Sequence, residues 1–169
     1  MPNWCSNCLE LQGSPENIKD VEKVFHNMVN KEQATGDGQL PDWSNLKQDW
    51  FFNIYSDDFK QEQHESFVVQ YETRWAPNVE IVIEIAKKHN LTFVLEYEES
   101  GNLIYGRYVY DGKELKDFYL SDEEHDLYEW DENYEVCTFE GEEWESDTEI
   151  KEIILERKIK ANQFEIIAI

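Results

Sequence analysis

Residues 117–150 carry 15 Asp and Glu and no Lys or Arg, interleaved with Tyr119, Tyr128, Trp130, Tyr134, Phe139 and Trp144. Carboxylates at this density can hold a hard cation through several oxygens, or pair with Lys and Arg of another protein. The cluster Asp122-Glu123-Glu124-His125-Asp126 offers many oxygens but lacks the Gly and the ligand periodicity of a calcium loop, and Asp131-Glu132-Asn133 is no more specific. A two-metal nuclease would also need a basic surface to hold substrate phosphates. Pairing with a cationic partner is the better fit. Side chains two apart on one strand face sit about 6.5–7 Å apart, close to the step between successive phosphates of a nucleic-acid strand. Glu96-x-Glu98 and Glu140-x-Glu142 have that spacing, and Asp122, Glu123, Glu124, Asp126, Glu129, Asp131, Glu132, Glu143 and Glu145 extend the array. Trp130 and Trp144 would be its exposed apolar anchors.

Other chemistry finds less support. Cys5 and Cys8 form a C-x-x-C, half of a zinc site or a redox pair, but the candidates for the other ligands, Cys137, His26, His64, His89 and His125, show no paired spacing. Within a strand, positions i and i+3 face opposite ways, so both thiols are expected to act as small hydrophobes. The histidines lie on unrelated segments, expected as surface or capping residues, with no nucleophile and base arranged beside them. The seven glycines form no phosphate-cradling motif. No catalytic residue, metal or cofactor is assigned.

The elements that must carry these groups follow from periodicity. A strand holding Trp4, Leu9 and Leu11 leads to Gly13-Ser14-Pro15, where Ser14 can cap a helix and Pro15 can take its first position. That helix, residues 15–30, buries Ile18, Val21, Val24, Phe25, Met28 and Val29 at three- and four-residue steps. Residues 31–49 read as a loop. Strands are expected at 50–55 and 66–71, a helix at 79–89 with Val79, Val82, Ile83 and Ala86 inward, and strands at 91–98, 103–111 and 115–120. Trp75 and Pro77 are expected to plug the core at the start of the second helix. The aromatics Phe51, Phe52, Tyr55, Phe67, Tyr71, Phe93 and Tyr97 read as core rather than as a base-stacking platform, which needs basic rims. Beyond residue 121 a strand at 134–139, a helix at 146–160 with Lys158 and Lys160 in its last turn, and a final strand at 164–169 docked in the sheet are expected. The order β-α-β-β-α-β-β predicts an α+β fold, a ferredoxin-like split βαβ antiparallel sheet with both helices on one face. Residues 1–120 would be the core and 121–169 an acidic extension packed on the same domain.

The opening Met1-Pro2-Asn3-Trp4-Cys5-Ser6-Asn7, followed by Leu9 and Gly13, resembles the start of the YubB-type, ferredoxin-like proteins of phages and plasmids. Phe67 to Pro77, with Trp75-Ala76-Pro77 at a helix start, and Phe93 to Gly101 leading to Tyr105-Gly106 are similar to the same family. The resemblance spans about residues 1–112. It implies a mobile-element origin and the same fold, and brings no catalytic residue.

The formal charge of −23 repels nucleic acid and anionic membranes and favours a basic protein partner. No apolar run follows Met1 and none approaches a membrane span, and three cysteines fit a reducing compartment. A cytoplasmic monomer or weak dimer in a bacterial host is expected. The functional expectation is a stoichiometric counter-defence inhibitor, an anti-CRISPR or anti-restriction protein that mimics nucleic acid in the groove of a basic host enzyme. The alternatives are a phage or plasmid interaction adaptor whose acidity serves solubility and, third, a metal-dependent hydrolase.

Overall fold

The computed structural model describes residues 3–36, 39–44, 52–54, 59–63, 65–132 and 135–167, with side chains placed for all of these except 59–63 and 163–167. The chain opens with strand β1, Trp4–Gln12, whose burial alternates with the pleat. Helix α1, Pro15–Thr35, follows, with the Ser14 hydroxyl accepting from the Asn17 amide and Pro15 in the first turn. Ile18, Val21, Phe25, Met28 and Val29 form its buried face. The helix runs five residues into the expected loop and stops at Gly36, whose φ of 73° closes the last turn.

Strands β2, Phe59–Gln63, and β3, Ser66–Arg74, lead to helix α2, Val79–His89, which ends on left-handed Asn90. Its buried face is Ile81, Val82, Ile85 and Ala86, with Val79 and Ile83 only flanking the core. Strands β4, Thr92–Glu99, β5, Ile104–Tyr110, and β6, Leu115–Tyr119, complete a meander, with a 3-10 turn at Ser100–Asn102 between β4 and β5. The six strands are ordered β2-β3-β1-β4-β5-β6, and the pairs are antiparallel. The first four with α1 and α2 form the ferredoxin-like unit, and β5 and β6 widen its sheet. Leu9 lies between Val69 and Leu95, and these pack under Phe25, Ile81 and Ile85.

Several expectations are corrected. The segment at 50–55 contributes only single bridges, Gln39 to Phe52 and Asn53 to Glu72; Trp50, Phe51 and Tyr55 lie outside the described residues. Phe52 and Ile54 are buried as an alternating pattern demands, but β3 pairs along Ser66–Val69 with β2, the strand before it in the chain. That pairing runs through backbone groups, so β2 needs no apolar pattern. Trp75 does not plug the core: it is 53% exposed, with φ of 70°. Phe52, Phe67, Tyr71, Phe93 and Tyr97 are buried as expected.

The C-terminal third forms a second layer. Helix α3, Asp122–His125, is followed by a three-stranded sheet of β7, Tyr128–Asp131, β8, Val136–Phe139, and β9, Glu142–Trp144, and then by helix α4, Asp147–Ile167. Leu120, Cys137, Phe139, Ile150, Ile154 and Leu155 make a separate core, joined by Tyr105 and Phe118 of the large sheet. Tyr105 and Arg107 alternate with helix-facing Gly106 and Tyr108, so α4 lies across the sheet face opposite α1 and α2. The expected strand at 164–169 is overturned through Ile167, and residues 168 and 169 lie outside the described residues. The backbone stays helical through Ile167, because Lys160-Ala161-Asn162-Gln163 contains no helix breaker. Lys158 and Lys160 consequently sit mid-helix rather than in the last turn.

Candidate functional site

The acidic segment is ordered by local devices. Ser121 caps α3: its hydroxyl accepts from the Glu124 amide at 3.4 Å while a Glu124 carboxylate oxygen accepts from the Ser121 amide at 2.8 Å. Asp122 and Glu123 then sit at the positive end of this turn. His125 is buried and in hydrogen-bond contact with the Tyr128 hydroxyl at 3.2 Å. It is neither a surface residue nor a cap. Burial, aided by nearby Lys151, lowers its pKa.

The β8–β9 turn is a two-residue hairpin in which Glu140 and Gly141 both have positive φ, 52° and 85°. Such a turn matches the twist of the strands it joins. Strand pairing then sorts the side chains. Cys137 lies between Trp130 and Trp144, and Phe139 between Tyr128 and Glu142, on the face toward the second core. Thr138 lies between Glu129 and Glu143 on the outer face, with Asp131 two residues from Glu129. Glu129, Trp130, Asp131, Glu132 and Thr138 line a shallow depression of about 350 Å³. Four of its five residues are sequence candidates; Thr138 has no charge or aromatic ring to mark it and is found only through strand register.

The structure divides the remaining candidates. Asp122, Glu123, Asp126, Glu142, Glu143 and Glu145 are exposed, on elements that wrap the second core. Glu124 is held by Lys158 Nζ at 2.6 Å; burial opposes its ionisation, but Lys158 and the Ser121 amide keep its pKa below the usual range. Glu140 receives both guanidinium nitrogens of Arg157, at 2.5 and 3.0 Å. Glu96 is bound to Arg107 at 2.9 Å and Glu98 to Lys151 at 2.8 Å. The alternations Glu96-x-Glu98 and Glu140-x-Glu142 are therefore partly taken: this chain's own cations, projected from β5 and α4, bind Glu96 and Glu98 at one oxygen each and Glu140 at both. Trp144 is half-buried against Cys137 and Phe139 rather than an exposed anchor, while Trp130 is 53% exposed. Register places both indoles beside Cys137 on the same face of the small sheet, but Trp144 packs against the second core while Trp130 stays exposed.

Cys5 is buried on the helix side of β1 and Cys8 half-buried on the other, as strand alternation requires. Burial pushes the Cys5 thiol up to about 11. Among the described residues, no three His, Cys, Asp or Glu side chains are grouped to hold a metal ion. No described helix is long and apolar enough to cross a membrane.

Residues 50–140 match the family described as ferredoxin-like domain in Api92-like protein, a stretch that runs from the edge of the large sheet through α3 and β8. The match continues past residue 112, where the resemblance of the opening segments ends, and takes in Asp122 to Glu132. No curated protein and no solved structure matches the chain. The chain belongs to the family of ferredoxin-like domains of Api92-like proteins.

Proposed function

We propose that this protein is a stoichiometric counter-defence inhibitor of the YubB type, from a phage or plasmid, which enters the nucleic-acid groove of a basic host enzyme in the host cytoplasm. A CRISPR effector nuclease or a restriction system would be such a target. The observation that carries this reading is the depression of Glu129, Trp130, Asp131, Glu132 and Thr138, an anionic patch with an exposed indole on a paired strand. Residues 117–150 contribute no Lys or Arg of their own. Carboxylates on the small sheet and α3 would take the Lys and Arg that otherwise grip phosphates, and the field of the whole molecule would speed encounter. Trp130 would supply desolvated contact area. The action needs no turnover and no cofactor.

The test is capture of host proteins at low and high salt, followed by challenge with duplex DNA. The expected partner is a nucleic-acid-binding enzyme that is lost at high salt, released by DNA and inhibited at one equivalent. Reversing Glu129, Asp131 and Glu132 to Lys should abolish inhibition with the fold intact. Equal inhibition by that triple variant would remove the depression from the contact surface. The pairing of Glu96, Glu98, Glu124 and Glu140 with internal cations favours a second reading, an interaction adaptor whose charge serves solubility. Partner binding that is indifferent to salt and to DNA would identify it.

A further inference from the structure

Among the described residues, α4 covers only part of one face of the large sheet, and the part beside it forms a groove of about 630 Å³. Ser6 and Cys8 of β1 floor it together with Glu72, Glu96 and Glu98, and Glu152 of α4 stands at its wall. Register makes the floor regular: Ser6 lies between Glu72 and Glu98, and Cys8 lies between Gln70 and Glu96. Two cations enter this set. Arg107 binds Glu96 and Glu152, and Lys151 binds Glu98. The charged residues of the lining are these four carboxylates, and Arg107 and Lys151 are shared with Glu156 and Asp147, so the groove is negative. Glu96 and Glu98 are held only at Oε1 in these pairs, and their side chains remain 51% and 29% exposed.

Beyond the groove lining, strand β1 continues to an exposed indole. Trp4 projects from the same face of β1 as Ser6 and Cys8, two residues along, and is 42% exposed. Its partner on β3 is Arg74, and the next residue is Trp75, exposed, whose backbone N–H donates to the Asn3 carbonyl at 3.0 Å. Both indoles are exposed, and neither belongs to the two cores of the described residues.

We propose that this groove receives an extended segment of a partner protein carrying Arg or Lys at alternate positions. Glu96 and Glu98 are two residues apart on one strand, about 6.6 Å, which is also the step between same-side side chains of an extended peptide. From Trp4, beyond the lining, to Cys8 in the floor, strand β1 runs about 13 Å, room for roughly four extended residues. The Trp4 indole offers a face to a guanidinium, which is held more strongly there than an ammonium because it is planar and weakly hydrated. A nucleic-acid strand is repelled by the same carboxylates. No residue of the groove belongs to the depression around Trp130, so this surface is additional to the inhibitor reading and does not depend on it.

The test uses the full chain and a fluorescein-labelled hexapeptide of alternating Arg and Ser, with binding read by anisotropy. Saturable one-to-one binding is expected, and it should be weaker for the Lys-Ser peptide and absent for the Glu-Ser peptide. Ser6→Arg places a cation between Glu72 and Glu98 from an exposed position and should weaken binding by at least about tenfold. Trp4→Ala should weaken it by about threefold. Glu129→Lys combined with Glu143→Lys, on the small sheet, should leave peptide affinity unchanged while reducing inhibition of the host enzyme. Thermal melting of each variant reports the fold. Peptide binding that survives Ser6→Arg but is lost in the Glu129 and Glu143 variant would place the cationic site on the C-terminal layer and overturn the groove. So would Arg-Ser binding displaced equally well by spermine at matched charge and unaffected by Trp4→Ala, because that is diffuse charge attraction rather than a shaped site.

Discussion

At the scale of single residues, backbone conformation and burial set distinct expectations. Trp75 is more than half exposed and sits in the left-handed region, where a side chain costs about 1–2 kcal/mol. Trp75→Ala should change unfolding stability by less than about 1 kcal/mol. Trp75→Gly should be the more stable of the two variants, since only glycine adopts that φ without strain; urea denaturation decides this. Lys151 is the opposite case. Its side chain is 5% exposed and lies between Glu98 and Asp147 at 2.8 and 2.7 Å. Lys151→Ala leaves two carboxylates facing each other beside the second core and should cost about 2–3 kcal/mol. His125 gives a pH dependence. Burial lowers its folded pKa below the ordinary 6.5, so the unfolded chain binds the proton more readily. The stability it contributes is complete above pH 6.5 and is lost as the pH falls toward the lower folded value. The melting temperature should drop between pH 7 and pH 5, by less in His125→Phe than in the parent protein.

At the scale of elements, the joints between layers matter most. Arg107 of β5 reaches Glu96 on β4 and Glu152 and Glu156 on α4, the last two both at 2.6 Å, and is only 15% exposed. Burial alone would disfavour its charge, but the three carboxylates hold its pKa above the usual value. Arg107→Ala should loosen α4 from the sheet at a cost of about 3 kcal/mol, seen as faster amide exchange in α4 before global unfolding. Gly106 is a close-approach position. A Cβ there would lie 2.4 Å from the Tyr97 hydroxyl and 2.6 Å from the Phe118 carbonyl. Gly106→Ala should therefore destabilise the β4-β5-β6 meander by about 2 kcal/mol, measured by denaturant midpoint.

At the scale of the whole molecule, charge dominates. With a formal charge of −23, self-repulsion opposes the compact state, and added monovalent salt should raise the melting temperature steadily. Loss of that rise in a variant with several surface carboxylates neutralised would confirm its origin. The internal ion pairs relieve part of the repulsion. Lys151, Arg157 and Lys158 on one helix return cations to Asp147, Glu140 and Glu124 of a segment that has none of its own.

What could be read from the residues themselves follows distance along the chain. Ser14-Pro15, the three- and four-residue spacing in α1, the α2 boundaries and the β4-β5-β6 meander are local patterns whose physics acts within a few residues, and they stand in the structure as expected. The ferredoxin-like order followed from them. The strand β2 was not visible, because its pairing uses backbone groups supplied by β3. An apolar run at 164–169 reads equally as strand or helix until the uninterrupted turns before it are considered. The anionic segment was legible as composition and as ordered, but which carboxylates face outward was not. Glu129 and Glu143 lie on the outer face through the register of β7, β8 and β9, and Glu124 and Glu140 are taken by Lys158 and Arg157 because α4 folds back over that sheet. Sequence determines how much charge the chain carries and which short segments are helix or strand, since those depend on neighbours in the chain. Only the tertiary structure decides which charges are already paired and which aromatic rings reach solvent, since those depend on side chains brought together from tens of residues away.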